Sequence, residues 1–407
     1  MKIAFISGGS SIHERRLATK AKERGHEVAL ISMRHTKVEF NIPGVDFYHY
    51  YPRTPRLRVI PMVLHLRKLL RRIRPDVIVT SNPSTYGFFA ALSGFHPHVA
   101  LPWGTDVLHI PYNSWVARQE TRFTLRQADM VICLSSEIQT RVQELSSGPL
   151  SKFPIVPVFS PDNQRFAPRE SWVRRELGWH DNKILIMTRP PYPVIYGVEF
   201  FVEALPIVLA TEPDTRIIMV GSGSLDREVR SRVTEMGLQD KVHFAGRVDH
   251  DDMPAYLNAA DIYVSTGFTD GNAVSLLEAM ACGLPVVVSD IPANRDWIKS
   301  GENGLLINIG DYDAVRNAIN KHLRKNPDLY NQLEASSQDY PLPISTMYVR
   351  DISAALITLL RDPPARNKMG ARNIQIVRER GGMDVSFSEL ERLAQQLIAK
   401  RRSGRTR

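Results

Sequence analysis

Short apolar runs alternate with longer stretches in which apolar residues return every three or four positions, and the alternation continues along nearly the whole chain. In the first half, Lys2–Ser7, Glu27–Ser32, Asp76–Thr80, His98–Trp103 and Met130–Leu134 read as buried strands. Helices fall between them, such as Ile12–Arg24, closed by Gly25, and Tyr86–Leu92. Continuously apolar strands separated by helices predict parallel sheets covered on both faces, an α/β protein. Three prolines, Pro157, Pro161 and Pro168, then mark a linker. A second series follows: Ile184–Thr188, Arg216–Val220, Lys241–Ala245, Asp261–Ser265, Pro285–Ser289 and Leu305–Asn308. The last quarter is helical. A faint repeat there relates Val315, Ala318, Ile319 and Leu323 to Ile352, Ala355, Leu356 and Leu360, and two amphipathic helices of similar composition explain it equally well. A last helix is expected near Ser386–Lys400, and the tail Arg401–Arg407 is expected to lack fixed structure.

The stretch from Asp270 to Asp290 carries the most chemistry. Asp270 and Glu278 lie eight positions apart, across a loop that opens an apolar helix ending at Gly283. Free N–H groups and the positive dipole end at such a helix start suit a phosphate. Flanking carboxylates suit hydroxyls on either side of it, which is the pattern of a nucleotide-sugar. The same residues also fit a capping box, Ser275-Leu-Leu-Glu278, with Asp270 capping a turn. Upstream, Arg189 closes a strand, Tyr196-Gly197 follows, and Val220-Gly221-Ser222-Gly223 and Phe244-Ala-Gly246-Arg-Val248 end two more strands. Arg189 is either a phosphate clamp or a surface charge at a strand end. In the cluster Asp249-His250-Asp251-Asp252, Asp251 or Asp252 is expected to cap the helix Met253–Asn258 rather than hold a metal.

These motifs, in this order, resemble the E-x7-E signature and its companions in the family-4 retaining glycosyltransferases of the GT-B fold, with Asp270 in place of the first Glu. The resemblance implies two Rossmann-like domains with parallel sheets facing each other across a cleft. It places an acceptor-side domain at 1–160, a nucleotide-sugar domain at 161–383, and a helix crossing back to the first domain within 384–407. By resemblance, Arg189, Tyr196, Gly221, Ser222 and Val248 bind the donor, Asp270 holds donor-sugar hydroxyls, and Gly271, Asn272, Ala273 and Val274 present N–H groups to the phosphates. Glu278 then holds the ribose. Gly9 closes on the donor phosphate; Ser10, His13, Tyr86 and Trp103 stand on the acceptor side; Asp106 joins Arg189 and Asp270 at the reaction centre. His13 also reads as an ordinary first-turn residue and Asp106 as a cap. Where the family has Lys-Gly, this chain has Tyr196-Gly197, and Gly271-Asn272-Ala273 replaces Gly-Phe-Gly. Around residues 328–350 the chain reads as an insertion relative to the family. The family implies no cofactor and no metal: the substrate is a nucleotide-sugar, UDP- or GDP-linked, and the acceptor a glycan or lipid-linked hydroxyl.

Composition bounds the alternatives. With 407 residues, 43% hydrophobic and 23% charged, the chain is long enough for two or three cores. Cys133 and Cys282 form no disulfide framework and read as buried thiols of a reducing compartment. Met1–Ser7 reads as a first strand rather than a signal peptide, so a cytoplasmic location is expected. The net charge of +9 is uneven: residues 1–160 carry 21 Lys/Arg against 11 Asp/Glu, a net of +10. Eight of these cations fall between Arg53 and Arg74 without an acid among them. Val59, Ile60, Val63, Leu66, Leu69, Leu70 and Ile73 recur there at helical spacing. That segment reads either as a helix lying on an anionic membrane, at the inner face of the cell membrane, or as one packed on its own sheet. No nucleic-acid motif accompanies the charge, so no nucleic-acid partner is expected. A dehydrogenase is excluded because Gly8-Gly9-Ser-Ser-Ile-His lacks the third glycine of the dinucleotide fingerprint. A nucleotide-sugar epimerase and a non-catalytic nucleotide-sugar-binding protein remain as rivals.

Overall fold

A computed structural model describes residues 1–9, 11–33, 42–49, 59–190, 195–325 and 342–404. The chain divides into two compact units, one of residues 1–159 with 383–407 and one of residues 160–382.

The first unit is built on β1 (Lys2–Ser7), β2 (Glu27–Ser32), β3 (Val45–His49), β4 (Val77–Ser81), β5 (His98–Leu101) and β6 (Met130–Val131). They form one parallel sheet in the order β3-β2-β1-β4-β5-β6. Strand β3 was not anticipated, because its half-exposed residues at the sheet edge lack a continuous apolar run. Strand β5 stops at Leu101 rather than Trp103, since Pro102 offers no N–H to the ladder. Strand β6 is only two residues long, and Cys133 beyond it bridges to Ile155 instead.

Helix Val59–Ile73 turns Met62, Leu66, Leu69, Leu70 and Ile73 into a core with Ala4, Ile6, Ala29, Ile31 and Ile78 of the sheet. The inner stripe of the basic segment is therefore used by its own domain. Arg53, Arg56 and Arg58 lie outside the described residues, as do residue 10, residues 328–341 of the expected insertion, and the tail 405–407. The helix Met383–Gly404 is longer than the sequence suggested and belongs to the first unit. It buries Phe387, Leu390, Leu393 and Ala394. Its charges pair with that unit through Lys20–Asp384 (2.6 Å), Arg24–Glu391 (2.7 Å) and Arg402–Asp76 (3.1 Å).

The second unit repeats the plan with β7 (Lys183–Met187), β8 (Thr215–Val220), β9 (Val242–Gly246), β10 (Ile262–Ser265), β11 (Val286–Ser289) and β12 (Leu305–Ile307). Their order is β12-β11-β10-β7-β8-β9, again all parallel. In both sheets the order reverses beside the first strand of the unit, at β1/β4 and at β7/β10. Ligands of open α/β sheets bind outside the carboxyl ends of the strands at such a point. Two apolar cores cover this sheet, one holding Phe201, Phe268, Tyr348 and Leu356, the other Phe166, Tyr263, Leu277 and Met280.

Helix Val274–Ala281 is pinned from behind. It ends at Gly283, against which Gly370 packs so closely that a Cβ on Gly370 would lie 2.1 Å from the Gly283 carbonyl oxygen. Asn373, fully buried, donates to the carbonyls of Leu284 (2.8 Å) and Asn303 (2.9 Å) and accepts from the Asn303 amide (2.8 Å). Gly370→Ala should therefore destabilise the second unit by about 1–3 kcal/mol, as overpacking against an unyielding backbone does. Urea unfolding followed by tryptophan fluorescence measures this, and an unchanged midpoint would contradict the close approach.

Candidate functional site

Parallel pairing of β7 with β10, Leu185 to Ile262 through Met187 to Val264, brings the exits of two strands distant in sequence side by side. Arg189 leaves β7 and Asp270 lies in the loop after β10, and the two side chains form an ion pair, each only 14% exposed. Burial opposes the guanidinium's charge, but Asp270, aided by the phenol oxygens of Tyr263 and Tyr196, outweighs it and holds Arg189 firmly protonated. The Tyr196 ring lies under the guanidinium, 5.3 Å from its carbon to the ring centroid. Tyr196 thus supports Arg189 where the family has a second cation. Gly197, at φ 56°, starts helix Val198–Thr211, and a Cβ there would meet the Thr266 carbonyl oxygen at 2.5 Å. Only glycine lets this helix start press against the exit of β10.

Asp270 also accepts the Asn272 N–H at 3.2 Å, so it does form the turn that opens the loop. The Asn272 amide is buried, and among the described residues neither its oxygen nor its nitrogen has a partner. No side chain caps helix Val274–Ala281, whose N-cap position is Ala273. The capping-box alternative for Ser275 and Glu278 is overturned. The Ser275 hydroxyl accepts from Tyr263 (2.9 Å), and the Glu278 carboxylate meets Nε2 of His250 at 2.8 Å. This helix start therefore lies beside the Arg189–Asp270 pair without a side-chain cap from its N-cap residue, an arrangement whose dipole end suits an anion.

The loop after β8 completes this side. Gly221, at φ 118°, donates to the Gly246 carbonyl (2.7 Å) and packs against Pro190, next to Arg189. Ser222 is exposed, and its Oγ donates to Asp226 at 2.5 Å, which helps fasten the loop to helix Asp226–Glu235. Val248 packs on the core beneath. The capping expectation for Asp251 and Asp252 also needs correcting. Asp252 occupies the N-cap of helix Met253–Ala259 without a side-chain bond, and Asp251 pairs with Arg165. Among the described residues, no group of three His, Cys, Asp or Glu side chains is placed to hold a metal ion.

In the first unit, β1 runs into Gly8-Gly9. A Cβ on Gly8 would lie 3.1 Å from the Tyr86 hydroxyl, and Gly9, at φ 75°, lies against Ser32. Ser10 lies outside the described residues. Ser11 and Glu14 form a capping box on helix Ile12–Glu23, so Glu14 reaches back to the glycine turn. Burial raises the Glu14 carboxyl, opposed by bonds from Ser7, Ser11, Gly9 and Gly8. His13, Trp103 and Phe159 form an aromatic cluster, with Phe159 5.1 Å from His13 and 4.9 Å from Trp103. Asp106 is buried beneath the turn after β5 and accepts the N–H groups of Trp103 (3.0 Å) and Gly104 (2.8 Å). Burial pushes its carboxyl up to about 6 against those bonds. Its geometry is that of a loop-fastening cap.

The structure pairs Arg189 with Asp270, and the contacts of Glu278 with His250 and of Glu14 with the glycine turn were not anticipated from the sequence. The Ser11-x-x-Glu14 spacing was a signal for Glu14; nothing in the local pattern tied His250 to a helix 28 residues on.

Two family models match the chain: one described as Glycosyl transferases group 1 over residues 181–325, and one described as Glycosyl transferase 4-like over residues 2–135. An uncharacterized glycosyltransferase of Methanocaldococcus jannaschii is 25% identical over 351 residues, covering 79% of this chain and 89% of that protein. The UDP-Gal:alpha-D-GlcNAc-diphosphoundecaprenol alpha-1,3-galactosyltransferase of Escherichia coli is 28% identical over 270 residues, 63% of this chain and 68% of that protein. Among solved structures, HepE of Anabaena in complex with UDP and glucose superposes with a TM-score of 0.74 at 17% identity, over 98% of this chain and 100% of that one. Two sheets of Rossmann order, an ion pair and an uncapped helix start at the switch point of the second sheet, and family matches on both units lead to one conclusion: this chain belongs to the group 1 glycosyltransferases and has the GT-B fold.

Proposed function

We propose that the protein transfers a sugar from a nucleoside-diphosphate donor to a hydroxyl of a glycan or lipid-linked acceptor, with retention at the anomeric carbon and without a metal. The observation that carries this reading is the buried Arg189–Asp270 pair beside the uncapped start of helix Val274–Ala281. In the donor complex the pair exchanges partners: Arg189 takes the diphosphate and Asp270 takes sugar hydroxyls. The 271–274 N–H groups share the phosphate charge, and Glu278 holds the ribose. Charge developing on the leaving diphosphate is then met by fixed dipoles and a cation already in place. On the same face of the sugar, the bond from C1 to the phosphate oxygen breaks and the acceptor oxygen bonds to C1. The acceptor proton passes to the departing phosphate oxygen. No protein nucleophile is needed.

Other first-unit residues complete the proposal. From the first unit, Gly9 is assigned to the donor phosphate and His13, Tyr86 and Trp103 to the acceptor, as is Ser10, which lies outside the described residues. Asp106 shapes the turn carrying Trp103 and contributes to the reaction centre through it. The donor is UDP- or GDP-linked: the E. coli relative is named for UDP-galactose, and the HepE structure holds UDP. That relatives of this kind are transferases leaves the epimerase and the non-catalytic reading without support.

The acceptor side is proposed to meet an anionic membrane from the cytoplasmic face. The E. coli relative is named for a diphosphoundecaprenol-linked acceptor, which is a lipid. Ile60 is 67% and Leu64 58% exposed on the outer side of helix Val59–Ile73, and Lys68, Arg71 and Arg72 are exposed there too. Arg67 is exposed as well and keeps its charge while its guanidinium donates to the carbonyls of Ser93 (3.0 Å) and Leu92 (2.9 Å). No helix among the described residues is long and apolar enough to cross a membrane.

Calorimetric titration with UDP and GDP tests the partner exchange. Arg189→Ala, made together with Asp270→Asn so that no buried charge is stranded, should weaken the bound nucleotide by about 2 kcal/mol relative to Asp270→Asn alone. Asp270→Asn by itself should bind free nucleotide more tightly than the wild type, since Arg189 no longer has a competing anion, yet turn over nucleotide-sugar more slowly. Weaker nucleotide binding by Asp270→Asn would refute the exchange. Product analysis by NMR should show the donor's anomeric configuration kept, and turnover should persist in EDTA; inversion, or activity restored only by added magnesium or manganese, would overturn those parts. Finally, the protein should sediment with anionic liposomes at low salt and be released at high salt, because each cation near such a surface contributes about 1 kcal/mol and is screened. Changing Ile60 and Leu64 to Ser and Lys68, Arg71 and Arg72 to Gln should abolish sedimentation, whereas wild-type protein that stays in the supernatant points to a soluble acceptor.

A further inference from the structure

The contact between His250 and Glu278 goes beyond the roles assigned above. Glu278 sits about one turn into helix Val274–Ala281, with its side chain only 8% exposed. A buried carboxylate on a helix can serve a ligand only if its rotamer is fixed, because each alternative rotamer aims the oxygens elsewhere. His250 comes from the turn after β9, a different element, and its Nε2 lies 2.8 Å from Oε1 of Glu278.

His250 is itself held on several sides. Its ring lies on the buried Phe166, with centroids 5.2 Å apart. The next residue, Asp251, is paired with Arg165, whose guanidinium also covers Phe166 at 5.9 Å from the ring centroid. The preceding Asp249 accepts the N–H groups of Asp252 (2.9 Å) and Met253 (3.1 Å) through its carbonyl, which locks the turn. These neighbouring contacts hold the backbone of the turn that carries His250, while its ring is held by Phe166 and Glu278. Among the described residues, Nδ1 of His250 is buried with no partner. A proton there would be a buried donor without an acceptor, so Nε2 is the nitrogen that carries the proton and donates to Glu278.

We infer that His250 is a positioning residue for the nucleotide's ribose: it fixes the Glu278 carboxylate by occupying one of its acceptor positions and so sets the direction in which the carboxylate receives the ribose hydroxyls. This rests on the proposed reading of Glu278 as the ribose-holding carboxylate. A carboxylate has roughly four acceptor positions, so the bond from His250 does not compete with a diol for the whole group. His250 makes no contact with the reacting atoms in this account; it acts through Glu278. It contributes to discrimination between a ribose and a sugar without hydroxyls, which a purely structural packing residue does not.

The experiment measures affinities of UDP, GDP and ADP and of their 2′,3′-dideoxy counterparts by titration calorimetry, on wild type, His250→Ala, His250→Gln, Glu278→Gln and the double variant His250→Ala/Glu278→Gln. Circular dichroism melting confirms that each is folded. For whichever nucleotide binds most tightly, wild type should prefer the ribose form by about tenfold or more, the scale of a charge-assisted hydrogen bond. His250→Ala should lose most of that preference, and His250→Gln, whose amide can place a donor near the position of Nε2, should regain part of it. In the double variant the loss should not exceed that of Glu278→Gln, because both changes remove one coupled function. If His250→Ala weakens ribose and dideoxy forms equally, or keeps the wild-type preference while Glu278→Gln loses it, the inference is wrong and the ribose reading stands. If wild type does not distinguish the two forms, the ribose reading of Glu278 fails and takes this inference with it.

Discussion

The second unit depends on one pairing, that of β7 with β10. These strands are the first and fourth of their series, and a right-handed parallel sheet that grows outward from its first strand in both directions makes them neighbours. Their hydrogen bonds set Arg189 and Asp270 against each other although 81 positions separate them. Everything nearby then follows from the need to keep two buried charges compensated. Tyr196 lies beneath the guanidinium, Gly197 lets the next helix start close to the β10 exit, and Asp270 fastens its own loop through the Asn272 N–H. Removing one partner of a buried pair strands the other, at a cost of several kcal/mol. A ligand that supplies both an anion and hydroxyl groups can replace both halves of the pair at once.

Behind this site the protein is built to resist movement. Helix Val274–Ala281 is packed with apolar residues on both sides and closed at its far end by Gly370 and the Asn303–Asn373 amides. Binding loops are useful when a rigid scaffold holds them. Here the scaffold reaches the carboxylate through a helix and the imidazole through a turn, and the two meet at 2.8 Å.

The first unit puts the same kind of sheet to a different use. Its turn after β5 depends on a buried carboxyl, Asp106, and its glycine turn on Glu14 reaching back from the first helix. Helix Val59–Ile73 divides its residues by face: Met62, Leu66, Leu69, Leu70 and Ile73 serve the core, while Ile60, Leu64, Lys68, Arg71 and Arg72 face outward. The inner side matches the reading of a helix packed on its own sheet, and the outer side is the one that the membrane proposal concerns.

The sequence by itself determined the two α/β series, most of the strands, and the strand exits and helix from which Arg189, Asp270 and Glu278 come. Apolar runs and the residues that interrupt them are local signals, and strand exits can be counted along the chain. Strand β3 escaped because an edge strand needs no continuous apolar run, and the ends of β5 and β6 moved because Pro102 and the Cys133–Ile155 bridge end the ladder early. Which side chains meet was decided only by the tertiary structure. A capping box was the sound local reading of Ser275 and Glu278, yet both oxygens went to partners from other elements, Tyr263 and His250. Ser222 turned to Asp226, and Arg67 to the end of a neighbouring helix. A buried polar group must find a partner wherever the fold brings one within reach, and that reach is set by strand order rather than by spacing along the chain.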